Sequence, residues 1–161
     1  MTTGLADFFQ YNLWANLRLL DACIHLSDAQ LDATTKGTFG NVRETLMHML
    51  AAEEGYARTL TGKIPTPPLG DLTHFPDFDE LRRRAKGSGE ALITFAEQVE
   101  LSQILHLDEG TYDAPVIVVV IQAINHAIDH HSQIATLLSQ QDIKPPDLDG
   151  WAYNDAMHER S

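Results

Sequence analysis

The sequence predicts an all-α fold in which four helices pack around one core. Three observations carry that reading. Four segments place apolar residues at three- and four-residue spacing, two of them open on a reciprocal capping pattern, and the one β-branched run has no partner strand elsewhere. A chain of 161 residues with 43% hydrophobic content suits one domain, 1–161, with a core of respectable size.

The first helix is expected from Thr3 to Ser27, with Leu5, Phe9, Leu13, Leu17 and Leu20 forming a stripe that Phe8, Trp14 and Ile24 broaden. The second begins at Asn41, whose side chain can cap the first turn while Glu44 reaches back, and runs through His48 to about Leu60. Between Thr61 and Pro76 lie Gly62, Pro65, Pro67, Pro68, Gly70 and Pro76, which remove donors and fix dihedrals, so a long surface connection is expected. Asp77 and Glu80 repeat the capping pattern and open a third helix through Leu81, Ala85, Leu92, Phe95 and Val99, in spite of Gly87 and Gly89. A fourth helix is expected with Asp113 as cap, Pro115 in its first turn and an end near Gln140. Its β-branched stretch, Val116 to Ile121, resists that assignment by less than about 1 kcal/mol per residue, a preference outweighed by the cap signals, the continuation into Ala123 to His126 and the lack of a partner strand. After Pro145 and Pro146, Trp151 and Tyr153 are expected to dock a short closing helix within Leu148 to Met157.

Charge and cysteine content narrow the function classes. Eleven Lys and Arg against 23 Asp and Glu give a net charge of -12, which repels phosphate backbones and anionic membranes and argues against nucleic acid as a partner. No apolar run approaches bilayer length, and the first residues lack the pattern of a signal peptide. The single Cys23 forms no internal disulfide; a reducing cytoplasm fits best.

His126 and His130 stand four residues apart and therefore share one helical face, as two ligands of one ion would. His48 adds a third imidazole from the second helix, flanked by Leu46, Met47, Met49 and Leu50. Facing helices of a bundle commonly supply such ligands, and imidazole suits several first-row transition ions. The competing reading has three neutral core imidazoles, each with its own hydrogen-bond partner, whereas one cation satisfies all three. His131 lies about 100° around the helix from His130 and is expected at the surface or in a helix contact. His25, His74, His106 and His158 are expected to be solvated in helix ends or loops, with a substrate role open to His74. Gln133 shares the face of His126 and His130 and could hydrogen-bond a metal-bound water or simply pack between helices. Asp129 points elsewhere, and Asp21, Asp28, Glu53, Glu54, Glu97 and Arg82-Arg83-Arg84 read as solvated faces or local ion pairs. Glycine-rich phosphate loops, paired cysteines and a nucleophile elbow are missing.

Four blocks carry a family resemblance: Tyr11 to Asn16, Asn41 to His48, Glu53, and Asn125 to Gln133. With them the chain resembles the DinB-like superfamily of metal-binding four-helix bundles, related to thiol-dependent S-transferases that use bacillithiol or mycothiol. The resemblance implies a metal triad of His48, His126 and His130, and a bundle with one long crossover between its second and third helices, here 61–76, which makes those two helices parallel. It also implies a homodimer. Members often show Arg-Gly before the glutamine where this chain has His131-Ser132, and Asn41 stands where serine is common.

Three protein ligands leave a coordination position open, as in catalytic rather than closed structural sites. The expected function is therefore a thiol-dependent S-transferase or metal-assisted hydrolase that uses zinc or nickel on a small electrophile, with a low-molecular-weight thiol as first-choice partner. The alternative is a non-catalytic metal-binding stress-response module, and a metal-free interaction protein is the third. Cys23 lies among apolar residues, with nothing nearby to make it a nucleophile.

Overall fold

The computed structural model describes residues 4–63 and 65–159; the expected first-helix start at Thr3 lies outside them. The described chain is mostly helical. It comprises α1 (Gly4–Cys23), α2 (Asp28–Leu31), α3 (Val42–Thr61), a 3-10 turn (Leu69–Asp71), α4 (Phe78–Ala96), β1 (Ile104–Leu107), β2 (Tyr112–Pro115), α5 (Val116–Ser139) and α6 (Gly150–His158). Among these described residues, no helix is long and apolar enough to cross a membrane.

Four long helices, α1, α3, α4 and α5, carry the core. Leu13 of α1 lies against Gly89 of α4 and Asp21 pairs with Arg82, so these two run antiparallel. His48 faces His126 and His130 while Tyr56 reaches Gln122, so α3 and α5 are antiparallel as well. Two apolar clusters fill the interior, one around Leu19, Leu46, Leu50, Leu81 and Leu137, the other around Phe9, Ala57, Leu92 and Val120. A Cβ on Gly89 would stand 2.9 Å from Leu13 Cδ1, so this glycine serves close helix approach; Gly87 touches nothing.

The capping box at Asn41 and Glu44 forms as expected. At Asp77 only half of the pattern forms: its carboxylate accepts from the Glu80 amide, while the Glu80 side chain turns to Arg83 and Arg84 instead. The first helix stops at Cys23, and Ser27 with Gln30 caps a separate four-residue helix. Phe8 and Ile24, expected to widen its buried stripe, are exposed. The third ends at Ala96, before Val99. The connection after α3 is more than surface, because Leu69 is fully buried and its amide donates to Glu54 Oε2 at 2.7 Å.

A β-hairpin corrects the expected start of the last long helix. Ile104–Leu107 pairs antiparallel with Tyr112–Pro115, and Asp113, the expected cap, instead takes the His106 ring at 2.6 Å. The reason is local: alternating Leu105 and Leu107 turn inward, and the first amides of α5 find the carbonyls of Gln103 and Leu101 without help from Asp113. The β-branched stretch of α5 is helical. In α6, capped by Asp149, Tyr153 packs on Tyr11 and Trp14, but Trp151 is 81% exposed and does not dock.

Glu53 and Glu54 overturn their expected place on a solvated face. Both are buried on the inner side of α3. Glu53 Oε2 accepts from Asn12 and Asn16, each at 2.7 Å, and Oε1 from Ser88 at 2.5 Å; Glu54 pairs with buried Arg84 at 2.9 Å. Burial pushes the Glu53 carboxyl above its usual range, against the pull of these three donors. Ser88 also faces the Arg84 carbonyl at 3.1 Å, so its hydroxyl can donate there and accept from a protonated carboxyl or an amide.

That geometry separates two substitutions. Glu53→Ala strands two buried amides and is expected to cost about 3 kcal/mol in denaturant unfolding. Glu53→Gln keeps an acceptor for both asparagines and a donor for Ser88, and is expected to cost less than about 1 kcal/mol.

Candidate metal centre

The three singled-out histidines converge in the structure. One nitrogen from each of His48, His126 and His130 lies within 4.8 Å of the others. His126 Nε2 is 3.1 Å from His48 Nε2 and 3.2 Å from His130 Nε2. Zinc–nitrogen bonds of about 2.0–2.1 Å set tetrahedral ligand nitrogens about 3.3 Å apart, close to both separations at His126 Nε2, while the His48 and His130 nitrogens lie within 4.8 Å of one another. Hydrogen counting agrees. A single N–H on His126 Nε2 cannot point at both neighbours, whereas one shared cation takes a lone pair from each ring.

Protonation favours ligation too. Burial first, then the neighbouring His130 and His48, push His126 down to about 4 against the pull of Asp129; burial and His130 also lower His48. Both rings are therefore neutral at pH 7, with lone pairs available.

Gln133 ties the loop before α3 to the cluster. Its Oε1 accepts the Phe39 backbone N–H at 2.8 Å and faces His130 Nδ1 at 3.2 Å, while its Nε2 donates to Asp129 at 2.8 Å. A proton on His130 Nδ1 directed at that oxygen leaves Nε2 free to face the cluster, the usual way a ligand imidazole is oriented. Asp129 itself is exposed and stays out of the cluster.

Two residues that the sequence reading did not single out flank the site. The Phe39 ring lies flat on His48, 4.0 Å between centroids and 12° between planes, and meets His130 edge-on at 5.8 Å. Tyr56 meets His126 edge-on at 5.9 Å, and its hydroxyl lies 3.5 Å from Gln122 Nε2. Helical periodicity could have placed Tyr56, two turns beyond His48, on that side of α3. Phe39 sits in a loop, and its only signal is the pair of flanking glycines. Gly37 has φ +87°, and a Cβ on Gly40 would collide with the Glu44 carboxylate that caps α3.

His131 makes a helix contact, one of its two expected roles. It is 4% exposed, and its Nε2 meets Asn16 Oδ1 at 2.7 Å, while Nδ1 has no partner. Burial, then His130, push it down to about 4, so the ring is neutral and the unpartnered nitrogen carries a lone pair rather than a proton. His25, His74, His106 and His158 are exposed, with His106 on β1 rather than in a loop, and none belongs to the cluster. Of the arginine run, Arg82 and Arg83 make surface ion pairs, but Arg84 is buried against Glu54, contrary to the solvated face expected. Cys23 is buried and its thiol is pushed up to about 12 by that burial, which removes it as a nucleophile.

The model of the DinB family matches residues 1–161. A search of curated proteins gave no match.

The lowered His126 pKa has a measurable sign. In metal-free protein its ring carbon proton is expected to titrate near 4 by NMR, whereas in the unfolded chain the ring protonates near 6.5. The unfolded state then binds more protons between those values, so unfolding free energy should fall as pH drops from about 6.5 towards 4. His126→Phe should flatten that slope.

Proposed function

The chain belongs to the DinB family, and from that premise we propose that it is a divalent-metal-dependent protein that turns a small nucleophile on a small electrophile. His48, His126 and His130 are the ligands in this reading, with zinc or nickel as the ion. The observation that carries it is a three-imidazole cluster to which, among the described residues, no fourth metal-ligating side chain is added, so a position is left for an incoming molecule. A bound divalent ion supplies Lewis acidity, which makes a coordinated thiol or water easier to deprotonate. Gln133 then holds the His130 ring in register, Phe39 shields one side of His48, and the Tyr56 hydroxyl with the Gln122 amide offers a polar edge beside His126. Transfer from a low-molecular-weight thiol is the first choice and hydrolysis the second.

The four long helices are read as a single-domain four-helix bundle, 1–161, with the connection between α3 and α4 as its long crossover. Antiparallel pairing of α1 with α4 and of α3 with α5 supports that topology. We place the protein in the cytoplasm, in keeping with one buried thiol. A homodimer is also part of the reading, with the exposed Phe8, Ile121, Ile128 and Trp151 as the apolar side chains a partner would cover.

Zinc or nickel at a hundredfold excess over Kd is expected to add about 2.7 kcal/mol, a rise in Tm of roughly 5–10 °C. His48→Ala and His126→Ala should lose that rise. A protein that binds no metal after gentle purification and gains no heat stability from either ion would refute the metal reading. Loaded protein should consume a thiol and an electrophile from a mixed panel, and turnover that persists in His48→Ala would exclude this mechanism. A loaded protein inert to every pair would instead favour the stress-response module, with the ion as a staple between α3 and α5. Light scattering should report a dimer that Ile121→Arg with Ile128→Arg converts to monomer.

A further inference from the structure

Beside His48 lies a cavity of about 330 Å³ that the ligand cluster does not use, lined by Phe39, Met47, His48, Ala51 and Leu69 with Glu44 at its edge. We propose that this cavity seats the uncharged, single-ring or alkyl part of the substrate, and that Phe39 is its selecting wall. This rests on the metal reading above, which makes His48 a ligand.

Position is the first argument. His48 belongs both to the cavity wall and to the three-nitrogen cluster, so a molecule resting in the cavity lies one imidazole away from the reacting centre. Size is the second, because 330 Å³ is at the lower end of the roughly 300–1,000 Å³ found for small-molecule sites, room for one ring with a short arm.

Charge is the third and most selective. No cationic side chain lines the cavity among the described residues. Its one charged neighbour, Glu44, has Oε2 accepting the Asn41 amide at 2.9 Å. Arg43, which precedes Glu44 in the chain, is held by Asp28 and Asp32 and lies over the Phe75 ring. A carboxylate or phosphate placed here would lose water, meet no cationic side chain and face a carboxylate within a chain of charge -12, with the ion beyond the His48 ring as its one attraction. A neutral apolar group loses nothing of the kind and gains contact with the Phe39 ring, Met47 and Leu69.

Phe39 is not loosely hung. Its amide donates to Gln133 Oε1, the oxygen that also faces His130 Nδ1, so one side chain fixes both the aromatic wall and a ligand ring.

The cavity can be tested without the ion by following methionine methyl groups in metal-free protein. Benzyl alcohol should shift the Met47 methyl saturably and leave that of Met157 in place. Benzoate should bind at least about tenfold more weakly. Ala51→Leu, which fills the space, should abolish the shift, and Phe39→Ala should weaken it about fivefold at unchanged Tm. Benzoate binding as well as benzyl alcohol, a Met47 methyl that does not respond, or Phe39→Ala binding as the parent does would each overturn the proposal.

A cobalt(II) arm separates this from the metal reading. Loaded protein should bind benzyl mercaptan at least about tenfold more tightly than 3-mercaptopropanoate, read from the thiolate absorption band. Uptake of cobalt with no such preference overturns the cavity proposal alone; failure to take up cobalt or zinc overturns both.

Discussion

Everything in this molecule is registered on the buried carboxylate of Glu53. From α3 it takes two amides of α1, through Asn12 and Asn16, and the Ser88 hydroxyl of α4, while Asn16 passes the chain of hydrogen bonds on to His131 of α5. All four long helices therefore meet in one polar knot within an otherwise apolar interior. Apolar packing alone is tolerant of small slides and rotations, because leucines exchange neighbours at little cost. A buried carboxylate is not tolerant, since each donor that moves away leaves a desolvated group without a partner. The knot thus sets rotation and height for every helix, and the histidine cluster inherits its geometry.

The link between knot and cluster is the pair His130 and His131. Adjacent on α5 and about 100° apart around its axis, they divide the work. His131 is clamped inward on Asn16, and His130 is thereby turned towards His48 and His126. Gln133 completes the arrangement from the outer side.

Helical segments and the cluster were legible because both follow from periodicity. Three- and four-residue spacing located α1, α3, α4 and α5, and the four-residue interval of His126 and His130 placed them on one face; His48 was a candidate from its place among apolar residues of another helix, and the family resemblance joined it to the pair. What escaped is what periodicity does not encode. Glu53 and Glu54 read as solvated because a carboxylate is usually outside, and nothing local announces that two asparagines forty residues away will meet one of them. The hairpin at 104–115 escaped because four-residue strands leave little alternation to see, and Asp113 and Pro115 carry the same residue types as a helix start. Phe39 was invisible for a different reason: a loop aromatic acquires a role only when another element, here Gln133, fixes its backbone.

The cluster sits between α3 and α5 towards their outer side, with His48 and His126 half-buried, whereas the Glu53 knot lies wholly inside. Frame and cluster are thus written in different side chains of the same helices. A substitution among the three imidazoles leaves the carboxylate that registers the frame with its donors in place. The outer side chains can therefore be altered one at a time while the interior stays as it is.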